Sequence, residues 1–243
     1  MGVERRILVI GVDGATFDVV GPLVDKGMLP NLGRLMRDGC YGKLLSTIPT
    51  LSPVAWTSFA TGKNCGKHGI FDFVRRGPGS YRMLVNNASW RRSKPIWVIL
   101  SERGRSVCVV NVPMSYPPDE VNGYMISGLG TPGTSRDFTY PTWLYEEIRR
   151  EIGEYIVTPD LHVKMREKIS AKEVQDVVEV LSNCIDIRTE AVKYLMKKQS
   201  SEFIMVMFGE TDLISHMFWE SDIEKVICEG SNAIYEIYEK IDN

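Results

Sequence analysis

Short continuous apolar runs alternate along this chain with longer stretches in which apolar residues recur at helical spacing. Ile7-Leu8-Val9-Ile10-Gly11-Val12 reads as a buried strand over 5–12 that turns at Asp13-Gly14. From about Asp18 to Asp38, the spacing of Val19, Val20, Leu23, Val24 and Met28 predicts a helix, broken near Pro30 and stopped by Gly39. A helix directly after a buried strand implies a crossover to a parallel partner strand. Residues 53–61 predict a short helix, with Pro53 at its first position and Gly62 just past its end. Further helices are predicted over 96–102, 142–152, 170–198 and 222–241. The last carries Ile223, Val226, Ile227, Ile234, Ile237, Tyr238 and Ile241 on one face. Strands are predicted over 106–112, 124–129 and 203–208; the second runs into Gly130-Thr131-Pro132-Gly133, read as a mobile loop. Strand and helix alternate throughout, so the fold class is α/β, a mostly parallel sheet flanked by helices. Residues 74–93, rich in Gly, Arg, Ser and Asn, read as a loop or small insertion.

Composition narrows the function classes. With 44% hydrophobic and 25% charged residues, the 243-residue chain has the make-up of a soluble globular protein able to bury a sizeable core. A net charge of −2 gives no electrostatic case for a nucleic-acid surface. The basic pairs Arg75-Arg76 and Arg91-Arg92 read as solvated loop surface. Cys40, Cys65, Cys108, Cys184 and Cys228 are odd in number and form no Cys-x-x-Cys pair. That argues against a disulfide framework and a zinc finger, and fits a reducing cytoplasm. No stretch approaches the roughly 20 apolar residues that span a bilayer, so neither a membrane nor a leader enters the reading.

The residues with chemistry lie where strands end. In open α/β sheets ligands gather at the carboxyl ends of the strands. Asp13 stands there after the first run, and Asp212 follows the run Phe203 to Phe208. His216, four residues after Asp212, aims at the same point if the segment is helical, and both residue types suit zinc. Ser52 stands before Pro53 at the amino end of a short helix, where the dipole and open amides favour an anionic oxygen. A serine is a poor nucleophile unless a base or a metal activates it. The local alternative for Ser52 is a plain helix N-cap. No Gly-x-Ser-x-Gly elbow is present, and a divalent cation is the better activator. Ala15 stands where a haloacid-dehalogenase phosphatase needs its second aspartate, and Gly11-Val12-Asp13-Gly14 is not a dinucleotide-binding turn. His68 is assigned to orienting its loop by hydrogen bonding rather than to ligation, and His162 to the surface.

Three blocks together, Val12-Asp13-Gly14, Pro49 through Ile70, and Phe208 through Asp212 leading to His216, resemble the alkaline phosphatase superfamily in its type I phosphodiesterase/nucleotide pyrophosphatase branch. The resemblance implies a single alkaline phosphatase-like domain over 1–243, with cap or insertion segments near 74–93 and 131–170. It implies a two-metal hydrolase for a small phosphate-ester substrate. In that reading Asp13 binds one metal, Ser52 is the nucleophile on that metal, and Asp212 with His216 binds the second. The metals are expected to be two zinc ions, with manganese or magnesium as alternatives.

Three departures accompany it. Phe73 stands where nucleotide pyrophosphatases carry an asparagine that touches phosphate. The later Asp-His-Gly motif and the final histidine, which complete the metal sites, are not in these residues. The resemblance therefore implies a fold incomplete at its carboxyl end, with part of the two-metal site and an uncovered sheet edge open to a homo-oligomer. Two alternatives stay open: a non-catalytic truncated remnant or subunit, and a phosphomutase. The sulfatase signature is absent from Ser52-Pro53-Val54-Ala55.

Overall fold

The computed structural model describes residues 6–159, 161, 170–229 and 233–243, with the side chains of 171 and 220–229 left aside. The chain opens with β1 (Ile7–Val12), α1 (Phe17–Asp25), α2 (Pro30–Asp38), α3 (Ser52–Thr61) and α4 (Cys65–His68). A hairpin of β2 (Val74–Arg76) and β3 (Met83–Val85) precedes α5 (Ile96–Glu102), β4 (Val107–Val112), β5 (Gly123–Ser127) and β6 (Thr139–Tyr140). Then come α6 (Leu144–Glu151), α7 (Ala171–Lys198), β7 (Phe203–Phe208), α8 (Glu210–Glu229) and α9 (Ala233–Asp242).

The sheet runs β1-β7-β4-β5-β6. β4 pairs in parallel with β5 and with β7, in register Val107↔Gly123 and Val107↔Phe203, and β6 closes the far side antiparallel to β5. At the β1 side, Ile7 N donates to Glu202 O (2.9 Å) and Asp13 N to Phe208 O (2.8 Å). The acceptor advances with the donor, so this pairing is parallel too. The α/β class with a mostly parallel sheet flanked by helices is therefore what the chain adopts. Every residue of β4 and of β7 is buried, as expected for strands covered on both faces.

Two compact units divide the chain. One comprises Met1–Gly11, Leu45–Thr158 and Arg188–Met207; the other comprises Val12–Leu44, Pro159–Ile187 and Phe208–Asn243. In the first, Val107, Val109, Val112, Met125, Phe203, Met205 and Met207 form the core, with Trp97 of α5 and Ala60 of α3 against them. Arg76 and Arg92 are exposed, as the sequence suggests, while Arg75 and Arg91 are less solvated than expected. Arg75 stacks over Trp90, its guanidinium carbon 3.8 Å from the ring centroid, and Arg76 stacks over Tyr81. Arg91 makes a two-pronged contact with Asp119 (2.8 and 2.7 Å), to which Trp97 Nε1 also donates.

The second unit is closed by a cap supplied from far along the chain. Leu29, at the N-cap of α2, has no side chain able to accept, and Pro30 follows it. Asp242, at the end of α9, accepts instead from Asn31 N (2.9 Å) and Leu32 N (2.7 Å), and its carbonyl accepts from Asn31 Nδ2 (2.8 Å). The carboxylate is buried and meets the positive end of the α2 dipole. Asp242→Ala strands two amides and is expected to cost about 1–3 kcal/mol in a urea melt. An unchanged midpoint would remove this clamp from the account.

Two expectations are corrected. β1 is not buried: it is an edge strand of the sheet, and Ile7, Leu8 and Ile10 are 57%, 52% and 55% exposed. The apolar run marks a strand made for a covered position, but among the described residues its place in the sheet leaves both a face and an edge open. The helix expected over 222–241 is instead two helices, the first beginning at Glu210, directly after β7. Ile234, Ile237 and Tyr238 are buried as expected, while the side chains of Ile223, Val226 and Ile227 lie outside the described residues. No helix among the described residues is long and apolar enough to cross a membrane. Cys40, Cys65 and Cys108 are free thiols, and burial pushes the Cys108 thiol up to about 12.

Candidate active site

Asp13 is carried by the turn that leaves β1, tied by its own amide to Phe208 O and by its carbonyl to Thr211, whose Oγ1 donates at 2.5 Å. Thr211 and Asp212 sit in the first turn of α8, so this bond brings the end of β1 and the head of α8 together. Gly14 makes the approach possible. Its φ is +69°, and a Cβ there would stand 2.9 Å from both the Cα and Oδ1 of Asp212. His216 lies one helical turn after Asp212, with Nε2 3.5 Å from Asp212 Oδ2, as the four-residue spacing predicts.

The electrostatics of this corner are those of crowded carboxylates. Burial pushes the Asp212 carboxyl above its ordinary range, and the Asp13 charge pushes it further; His216 works weakly in the other direction. An arrangement that penalises its own negative charge is one a cation would relieve. Even so, no three His, Cys, Asp or Glu side chains converge on a metal-sized point among the described residues. The donor chemistry suits a divalent cation, while the donor count falls short of the three protein ligands that zinc ordinarily takes.

Ser52 is the first residue of α3. The N-cap position belongs to Leu51, with φ −115° and ψ 137°, so Ser52 is not the cap that the local alternative supposed. Pro53 has no N–H, and Val54 N and Ala55 N both return to Leu51 O (2.9 Å each), so the first-turn amide outside these bonds is that of Ser52 itself. Gly62, in the left-handed conformation, ends the helix as expected. Trp56 packs over Gly11 of β1, where a Cβ would stand 2.3 Å from the indole, so a glycine is required for α3 to lie against the strand. Asp13, Asp212 and His216 belong to one compact unit and Ser52 to the other.

His68 serves the role expected of it. Its ring is fully buried, 3.0 Å from Ser58 Oγ through Nε2 and 3.1 Å from Ile70 N through Nδ1, and burial holds it below its ordinary pKa. His162 lies outside the described residues. Phe73 is exposed beside the β2–β3 hairpin. A cavity of about 300 Å³ flanks α3, lined by Thr47, Ile48, Val54, Ser58, Lys63 and Cys65 among others. None of the four predicted site residues lines it. Gly14 and Thr211 lie inside the Val12-Asp13-Gly14 and Phe208–Asp212 blocks, and what they do is visible only once β1 and α8 are brought side by side.

Solved structures of similar fold include phosphonoacetate hydrolase from Sinorhizobium meliloti 1021. Its complex with phosphonoformate matches with a TM-score of 0.61 at 16% identity, covering 98% of this chain and 52% of that one. The complex with phosphonoacetate matches with a TM-score of 0.59 at 15% identity, with the same coverage. This chain thus spans about half the length of those solved relatives. No curated protein matches it. The family model described as type I phosphodiesterase / nucleotide pyrophosphatase matches residues 7–243, and the chain belongs to that family.

Proposed function

We propose that this chain carries the nucleophile and part of the cation-binding set of a phosphoester hydrolase. The observation that supports it best is the Asp13–Asp212 corner. A glycine at positive φ and a threonine hydroxyl on the Asp13 carbonyl bring the Asp13 turn against the head of α8, where burial and the Asp13 charge push the Asp212 carboxyl above its ordinary range. Structural carboxylates are ordinarily placed to lower their own charge penalty, whereas functional sites bear such penalties for chemistry. Asp13 with Ser52 would hold one divalent cation and Asp212 with His216 a second, each set short of the three protein ligands zinc ordinarily takes; zinc, or else manganese or magnesium, is the expected ion. When bound, the cation supplies charge neutralisation at the phosphoryl oxygens.

Ser52 Oγ is the attacking atom. A bond forms from Oγ to phosphorus, the hydroxyl proton passes to solvent, and the bond from phosphorus to the leaving oxygen breaks, that oxygen taking up a proton. Water then attacks the phosphoserine, releasing the phosphate product and restoring the hydroxyl. The positive end of α3 and the Ser52 amide favour the anionic group at that position. The test is turnover of bis-p-nitrophenyl phosphate with and without added Zn²⁺. The reading expects cation-dependent release of p-nitrophenol that chelator stops, and release indifferent to both would oppose it.

A second reading concerns assembly, and the exposed edge of β1 favours it. An apolar edge strand with open backbone groups is the standard template for strand pairing between chains. We propose that two copies associate through β1, covering Ile7, Leu8 and Ile10. Light scattering after size exclusion is expected to give a dimer that Leu8→Lys converts to monomer. A monomer at all concentrations would rule this assembly out.

A further inference from the structure

His68 is bonded at both ring nitrogens, and one of those bonds fixes the other. Ile70 N lies 3.1 Å from Nδ1, and a backbone amide can only donate, so Nδ1 presents its lone pair. A neutral ring then carries its proton on Nε2, which lies 3.0 Å from Ser58 Oγ, so the imidazole donates and the hydroxyl accepts. Protonating Nδ1 as well would set two N–H groups head to head and place a charge in a fully buried position. Burial accordingly favours the neutral form. The surrounding backbone is fixed in turn: His68 N donates to Asn64 O (3.0 Å), Gly69 N to Cys65 O (2.8 Å) and Arg92 N to His68 O (2.9 Å).

We infer that His68 is a positioning residue, a neutral Nε2-protonated imidazole that fixes α3, and with it Ser52, through Ser58. Ser58 lies six residues after Ser52 on the same helix, about 9 Å along its axis. The His68–Ser58 bond is a polar tie from α3 to α4, beside the apolar contact of Trp56 with Gly11. Apolar contacts alone leave a short helix free to rotate or slide by fractions of an ångström, and a directional bond removes that freedom. Neither ring nitrogen is left to accept a proton or hold a cation, so the histidine nearest to Ser52 in sequence is neither its base nor a metal ligand. The catalytic consequence rests on the proposed role of Ser52; the state of the ring does not.

Long-range ¹H–¹⁵N correlation on histidine-labelled protein at pH 7, with His68→Gln assigning the resonance, reads the ring directly. A proton on Nε2 with Nδ1 bare is expected. Amide exchange at Val54 and Ala55 is expected to quicken about tenfold in Ser58→Ala and in His68→Ala. His68→Gln, whose amide can still donate to Ser58, is expected to recover most of the protection. In turnover, Ser58→Ala is expected to lower kcat about tenfold with KM kept, and Zn²⁺ affinity to stay unchanged. A ring protonated at Nδ1, or on both nitrogens, overturns the inference, as does α3 exchange indifferent to Ser58→Ala. If the ring and the exchange behave as stated while Ser52→Ala keeps full turnover, the His68 assignment stands and the nucleophile reading falls.

Discussion

Replacing Ser52 with alanine is expected to cut phosphodiester turnover by about 10⁴-fold or more while moving the thermal midpoint hardly at all. A nucleophile forms the bond that breaks in the second step, so its loss removes the covalent route altogether and leaves only what binding and electrostatics supply. Stability is spared because the hydroxyl has no capping duty: Leu51 holds the N-cap, and alanine is the stronger helix former at a half-buried first-turn position. The expected stability change is within about 0.5 kcal/mol. Turnover of bis-p-nitrophenyl phosphate and a melt on the same preparation check both halves. Equal turnover in the variant would remove Ser52 from the chemistry, and a large drop in the midpoint would make it a structural residue.

The second large effect belongs to Gly14→Ala. An alanine at φ +69° costs about 1–2 kcal/mol for the left-handed backbone. Its methyl would also stand 2.9 Å from the Asp212 backbone and carboxylate, a close contact with backbone that only a shift of α8 or of the turn relieves. Overpacking of that kind costs about 1–3 kcal/mol more. The corner then opens, Thr211 is drawn off the Asp13 carbonyl, and the cation donors separate. Loss of positioning around a metal site lowers affinity by about 10–100-fold. Gly14→Ala is therefore expected to lower the denaturation midpoint and weaken Zn²⁺ binding together, as read by urea melts and calorimetry. A variant with wild-type affinity would show that the turn does not hold the donors.

How much of this was legible beforehand follows from where the information resides. The Phe203–Phe208 run identifies a doubly covered strand by its unbroken apolar character, and β7 is such a strand. The same kind of run at Ile7–Val12 identifies the strand but not its place, because position in a sheet depends on partners distant in sequence; β1 lies at the edge. The spacing of Asp212 and His216 is a local property of a helix, so it was readable once α8 was granted. The approach of Asp13 to Asp212 is not local. It depends on the Thr211 bond and on the absence of a Cβ at Gly14, and neither residue advertises its partner. Asp242 shows the same limit: helix α2 lacks an N-cap side chain in its own sequence, and the substitute comes from the far end of the chain. Arg91 read as solvated because charge pairs in loops usually are, and Asp119 lies 28 residues away.

Calorimetric titration of Zn²⁺ into the wild-type chain and into Asp212→Asn bears most directly on the central claim, that this corner exists to hold a cation. Burial and Asp13 already hold the Asp212 carboxyl above its ordinary range, so its charge is a burden to the fold. Removing that charge is expected to leave the metal-free melt unchanged or raise it, while binding on the order of micromolar in the wild type disappears. Absence of binding to the wild type, or equal binding by Asp212→Asn, would contradict the account.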